Sequence, residues 1–238
     1  MNLIRQLSLA LPIAASAISA AAQVSASTCG DLRNGYGPYD YRSADQSQRF
    51  LVEQPHFSPN IEALLRGNSG TLGGELDYTL RAFPNHPRAL NAVMRYGEKM
   101  KSPQPSDLRW PVECYFERAL RFRPDDHIAR MLFAQFLTRN KRDAEAVYQL
   151  AVVANKAGDN AFTHNNLGLL YLDLQRHDEA LTHAHRALAL GLDRPELRQR
   201  LRSLGKWSEP QPAAAAPAAA SAPASAPAAA ADAARPAE

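Results

Sequence analysis

An echo of 34 residues in the middle of the chain restricts its fold more than any other feature. Setting "DDHIARMLFAQFLTRNKRDAEAVYQLAVVANKAGDN" beside "NAFTHNNLGLLYLDLQRHDEALTHAHRALALGLDR" pairs Ala134 with Gly168, Leu137 with Tyr171, Ala146 with Ala180 and Leu150 with Ala184, each pair 34 apart. A fixed period of this size marks stacked supersecondary units, none of which buries its apolar face alone. Within the units the apolar spacing is helical. Ile128, Met131, Leu132 and Phe136 share a face, with Asp125 or Asp126 as N-cap and Asn140 at the stop. Ala144, Val147, Tyr148, Ala151 and Ala154 follow, entered at Asp143 and left at Gly158. Then come Leu167, Leu170, Tyr171 and Leu174, and after them Ala180, Leu181, Ala184 and Leu188 with Gly191 as terminator. The charged run "DRPELRQRLRSLGKW" opens on Pro195 and closes at Gly205, as suits a cap with no further unit to cover.

The echo extends backwards. Val112, Ala119 and Pro124 stand 34 before Ala146, Val153 and Gly158. Pro84 plays the part of Pro124 one copy earlier, but 40 residues away, so that copy carries about six extra residues. They fall in "KSPQPSDLRWP", residues 101–111, whose three prolines predict a loop.

Small residues at Gly168, Ala180, Ala184 and Ala187, with Leu167 and Tyr171, are most of a tetratricopeptide signature, and over residues 60–207 the chain resembles that superfamily. The segments "CGDLRNGYGPYDYR", "DYTLRAFPNHPRAL", "VECYFERALRFRPDD" and "THNNLGLLY" are also similar to a group of small exported Gram-negative proteins, with Asn165 where that group has Tyr. The resemblance implies an all-α fold, a tetratricopeptide-like α-solenoid of about four helical pairs plus a C-terminal capping helix. It also implies an export route, and no established activity.

The ends of the chain agree with export. Residues 1–26 place Arg5 before an uncharged apolar run and end in Ala- and Ser-rich candidate cleavage sites, the pattern of a signal peptide. That run is too short and too rich in Ala and Ser for a membrane span, and no later segment qualifies. Residues 209–238 are Ala, Pro and Ser with few other residues, which predicts a disordered tail. Residues 27–58 read as an irregular N-terminal strap and 59–208 as the repeat domain. The expected location is periplasmic or secreted.

Two cysteines in an exported chain predict a Cys29–Cys114 disulfide closing a loop of 85 residues. No catalytic, cofactor-binding or metal-ligating residue is expected. There is no G-x-S-x-G, Walker loop or H-E-x-x-H, and "GNSGTLGG", residues 67–74, lacks the lysine of a phosphate cradle. His183 and His185, two apart, point in different directions on a helix, while His56 and His86 stand beside prolines with no evident partner. Asp125–Asp126 and Asp178–Glu179 fall at helix starts, where they complement the dipole. Residues 109–142 hold eight Arg and Lys, a basic face that is solvated or meets an anionic partner. Nucleic acid is not expected, because the leader sends the chain away from it.

Tetratricopeptide arrays bind through the concave face, supplied by the first helix of each unit. In that register the places fall on Ile128, Met131, Gln135, Thr138 and Arg139, and then on Phe162, Asn165, Leu169, Leu172 and Asp173. Only Asn165 matches the superfamily's two-carboxylate clamp, so chaperone tails are not the expected ligand. The expectation is a non-enzymatic scaffold in the cell envelope, binding a protein, peptide or partner helix. The alternatives are an accessory subunit of an export, polysaccharide or outer-membrane assembly machine, and a ligand binder or enzyme with Tyr36, Tyr39, Arg42 and His56 around one pocket.

Overall fold

The computed structural model describes residues 29–210; the expected leader and all but the first residues of the expected tail lie outside them. The described residues form ten helices and no strand: α1 (Gln46–His56), α2 (Pro59–Glu62), α3 (Leu72–Ala82), α4 (Pro87–Met100), α5 (Val112–Phe122), α6 (His127–Arg139), α7 (Asp143–Ala154), α8 (Ala161–Asp173), α9 (His177–Ala189) and α10 (Pro195–Ser203). They pack in order as pairs, α1 with α3, α4 with α5, α6 with α7 and α8 with α9. Helices α4, α6, α8 and α10 also pack successively on one another. One continuous core runs through the pairs, from Phe57 and Leu76 to Leu197 and Leu201.

The sequence period is reproduced in the backbone. Lys141 and Gln175, 34 apart, both take left-handed φ, at 61° and 57°. Each is followed by a turn-closing bond of 2.9 Å, Arg142 N to Leu137 O and Arg176 N to Tyr171 O. Lys101 (φ 50°) holds the same place after α4, with Ser102 N donating to Gly97 O. The residues between that turn and α5 are the loop the prolines predicted.

Local chemistry sets the starts. Asp126 and Asn160 accept from Ala129 N and Thr163 N, and the His86 ring accepts from Ala89 N. The Asp178–Glu179 pair lies in the first turn of α9, where its charge meets the helix dipole.

Helix α1 corrects the expectation that residues 27–58 are irregular. Asp45 and Gln48 make a reciprocal capping box, and the helix runs through Pro55 in its last turn. Only Val52 on it is fully buried, which is why apolar periodicity gave no signal there.

Gly168 shows why small residues recur. A Cβ there would lie 2.4 Å from Leu197 Cδ2 on α10 and 3.3 Å from Ala180 O on α9. Gly168→Val is expected to lower stability by about 2–3 kcal/mol, read as a shift in the urea midpoint; an unchanged midpoint would refute the close crossing.

Residues 29–45 run as a strap over α3 and α5. Cys29 and Cys114 form the expected disulfide and are both buried. Tyr36, Tyr39 and Tyr41 pack against a satellite core of Ala44, Val52, Ala82 and Phe83. Asp40 accepts from Arg42, Arg123 and Asn85, and Asn85 also donates to Asp126 at the start of α6. The Arg42 guanidinium, foremost among these partners, holds the Asp40 carboxyl well below the usual range.

Candidate functional site

The successive packing of α6, α8 and α10 leaves a groove along the first two, walled by the third. Ile128, Met131 and Gln135 of α6 line it with Leu169 and Asp173 of α8, around a volume of about 380 Å³. Leu132, Asn166 and Leu170 complete its floor, and Glu196 and Arg200 of α10 form the wall. A second hollow of about 300 Å³ continues from it past Thr138, Arg139 and Lys141, sharing Gln135, Leu170 and Asp173. An Arg200–Asp173 ion pair of 2.7 Å ties α10 to α8 at its rim, and Arg139 pairs with Glu98 at 2.8 Å. Ile128 is 51% exposed in spite of its apolar side chain. No strap residue lines either hollow.

Seven of the ten expected groove residues are therefore brought together: Ile128, Met131, Gln135, Thr138, Arg139, Leu169 and Asp173. Phe162 lies outside the hollows, 58% exposed with the Arg194 guanidinium 5.3 Å from its ring. Asn165 and Leu172 do not belong to the groove and are buried. They stand seven apart, almost two full turns, and so share a face about a quarter-turn from the stripe through Asn166, Leu169 and Asp173. That 3.6-residue stripe, followed strictly, gives Asn166 and Leu170 from sequence, and Leu132 on α6.

Tyr36, Tyr39, Arg42 and His56 do not line a common hollow among the described residues. Tyr36 and Tyr39 make an edge contact with each other, and Tyr39 lies beside Phe83. Arg42 bonds Asp40 and Asp125. His56 is not partnerless: its Nδ1 lies 2.6 Å from Glu75 Oε2. His86 is likewise paired, with Nε2 3.0 Å from Glu53 Oε1. Both partners come from other helices, 19 and 33 residues away, so no local pattern announced them. The Gly-rich loop does hold an anion, but an internal one. Glu75 accepts from the backbone N–H of Asn68, Ser69 and Gly70. Burial pushes the Glu75 carboxyl up, yet His56 and these loop N–H groups leave it lowered overall.

Two histidines meet across the last pair. His164 Nδ1 lies 2.9 Å from His183 Nδ1, and His164 Nε2 lies 3.0 Å from Gly158 O. The carbonyl requires the His164 proton on Nε2, so His164 accepts through Nδ1 and His183 donates. The Tyr171 ring stacks on His183. Burial, then the neighbouring His164, lowers the His183 pKa to about 4 against a partly opposing Glu179. A depressed histidine favours the folded state fully above its unfolded pKa near 6.5 and loses that advantage as pH falls towards 4. Moving from pH 7 to pH 5 is expected to remove about 1–2 kcal/mol through this ring, allowing for its partial exposure. His183→Gln should flatten the dependence in urea titrations at the two pH values. His86, which burial also lowers, leaves some slope. Equal slopes in variant and parent would overturn the assignment.

Part of the basic run is bonded inside the chain. Arg118 and Arg121 donate to strap carbonyls, Arg123 pairs with Asp40, and Arg142 with Glu113 and Glu145.

Among the described residues no group of three or more His, Cys, Asp or Glu could hold a metal ion, and no helix is long and apolar enough to cross a membrane. No family model, characterised protein or solved structure matches the chain.

Proposed function

We propose that the chain is a non-enzymatic interaction module of the cell envelope, built on tetratricopeptide-like helical pairs, that grips a peptide or partner helix in the α6–α8–α10 groove. The observation that carries this reading is the groove itself. A mixed apolar and polar floor, left open by the strap, is lined by residues of α6 and α8 at the places where such repeats present their binding face. The stacking order supports the repeat reading, with first helices neighbouring first helices and a charged α10 closing the series. The leader pattern and the buried disulfide support an oxidising, exported setting. Work as an accessory subunit of an assembly machine is the same reading with a larger partner.

A photo-crosslinking amino acid at Leu169 or Asn166, set against one at exposed Tyr148 on α7, tests the groove in envelope extracts. Crosslinks to a defined protein from the groove positions alone are expected, and Leu132→Glu should abolish them, a reduction of at least tenfold. Identical adducts from Tyr148, or adducts that survive Leu132→Glu, would reject the groove as the binding face.

A further inference from the structure

A cleft larger than the groove, about 860 Å³, opens between the strap, α1 and the start of α4. Its volume falls in the range of small-molecule sites, roughly 300–1,000 Å³. Six of its residues define its chemistry: Tyr41, Arg49, Phe50, Glu53, Phe57 and Arg88.

Three of the six are charged, and two of those are already engaged. Arg88 donates through Nε and Nη2 to Glu62. Glu53 Oε1 accepts from the Tyr41 hydroxyl at 2.8 Å and faces His86 Nε2 at 3.0 Å. Arg49 is different. Its guanidinium lies over the Tyr41 ring, 4.9 Å from the centroid, and makes no hydrogen bond or ion pair among the described residues. Its Nε is buried without an acceptor. Buried donors are normally satisfied; here the chain leaves a whole guanidinium that lines the cleft without an acceptor of its own. A guanidinium's planar fork matches a carboxylate with two parallel bonds. On the next residue of the same helix Phe50 is 63% exposed, and Phe57 lies buried against the cleft. The lining carries two positive groups and one negative, a balance that suits a single negative charge better than a doubly charged phosphate.

We propose that this cleft binds a carboxylate attached to an apolar or aromatic body, with Arg49 holding the carboxylate and Phe50 and Phe57 the body. A free aromatic acid and the C-terminal carboxylate of a peptide ending in Phe share this chemistry. The site is separate from the α6–α8 groove, and the binding of one ligand does not require the other.

Ligand-detected NMR on the full chain tests it with 3-phenylpropanoate, its neutral amide 3-phenylpropanamide, and the tripeptide Gly-Gly-Phe with free and amidated C-termini. One anchored charge and one ring set the expected dissociation constant at about 1 mM or tighter. The neutral amide, or an amidated peptide, should bind at least tenfold more weakly than its acid. Binding of the free acid alone, or of the free-ended peptide alone, identifies the source, and either supports the site. Arg49→Gln should weaken the acid at least tenfold, while Leu132→Glu in the groove leaves it unchanged. Absence of saturable binding by either acid would overturn the proposal, as would equal binding of acid and amide to the unaltered protein. So would an Arg49→Gln variant, folded by circular dichroism, that binds like the parent.

Discussion

The double variant Cys29→Ala with Cys114→Ala is expected to lose about 3–4 kcal/mol of stability while keeping its helical circular dichroism. The disulfide joins residues 85 apart, and loop closure of that length is worth about 4–5 kcal/mol in the chain-entropy model, an upper figure because reduced chains keep some compactness. None of the ten helices needs the bridge to form, since their caps and core lie elsewhere. The loss therefore acts through the unfolded state and appears as a lower urea midpoint with helix content intact. Both cysteines are buried, so native protein should resist mild reductant and yield its thiols only on opening. A midpoint unchanged within about 0.5 kcal/mol would show that the strap is not tied across α5 in solution.

What sequence alone revealed, and where it stopped, follows the range of the interactions. The pairs α6–α7 and α8–α9 were legible because their evidence is local and repeated: a period of 34, small residues at Gly168 and Ala180, caps at Asp126. The Cys29–Cys114 link was legible because two cysteines allow a single pairing. Helix α1 was hidden by its composition, with one fully buried residue and a proline near its end, although Asp45 and Gln48 carried the spacing of a capping box. Asn165 and Leu172 were misplaced because the register was taken from repeat positions rather than from the helical stripe. The pairs His56–Glu75, His86–Glu53 and His164–His183 join different helices, and only the assembled stack brings them within reach. The Arg49 cleft has the same origin, since strap, α1 and α4 each contribute a wall.

Arg118 carries the other large expected effect. Its side chain is among the largest fully buried ones, 1% exposed, yet among the described residues it makes no ion pair, and its Nε and Nη2 have no acceptor. Nη1 donates to three successive strap carbonyls, those of Cys29, Gly30 and Asp31, and the guanidinium lies 4.0 Å from the Trp110 ring centroid. Burial, then the neighbouring Arg121, lowers its pKa to about 10, so it remains charged at neutral pH. Arg118→Ala would orphan the strap carbonyls and leave a hole beside Trp110, partly offset by removal of a buried charge and two unsatisfied donors, at an expected net cost of about 2–4 kcal/mol. Arg118→Met keeps most of the volume over Trp110 but none of the donors, and should lose less than the alanine variant. The alanine variant should also become more sensitive to limited proteolysis within residues 30–42, where the ties from Arg121 to Gly30 and from Arg81 to Asn34 would remain. Arg118 Nη1 bonds the Cys29 carbonyl itself, so the losses from the disulfide and from Arg118 are coupled rather than simply additive. The triple variant lacking both cysteines and Arg118 should have a lower urea midpoint than the cysteine-free parent; one that folds as stably as that parent would show that the strap does not rest on Arg118.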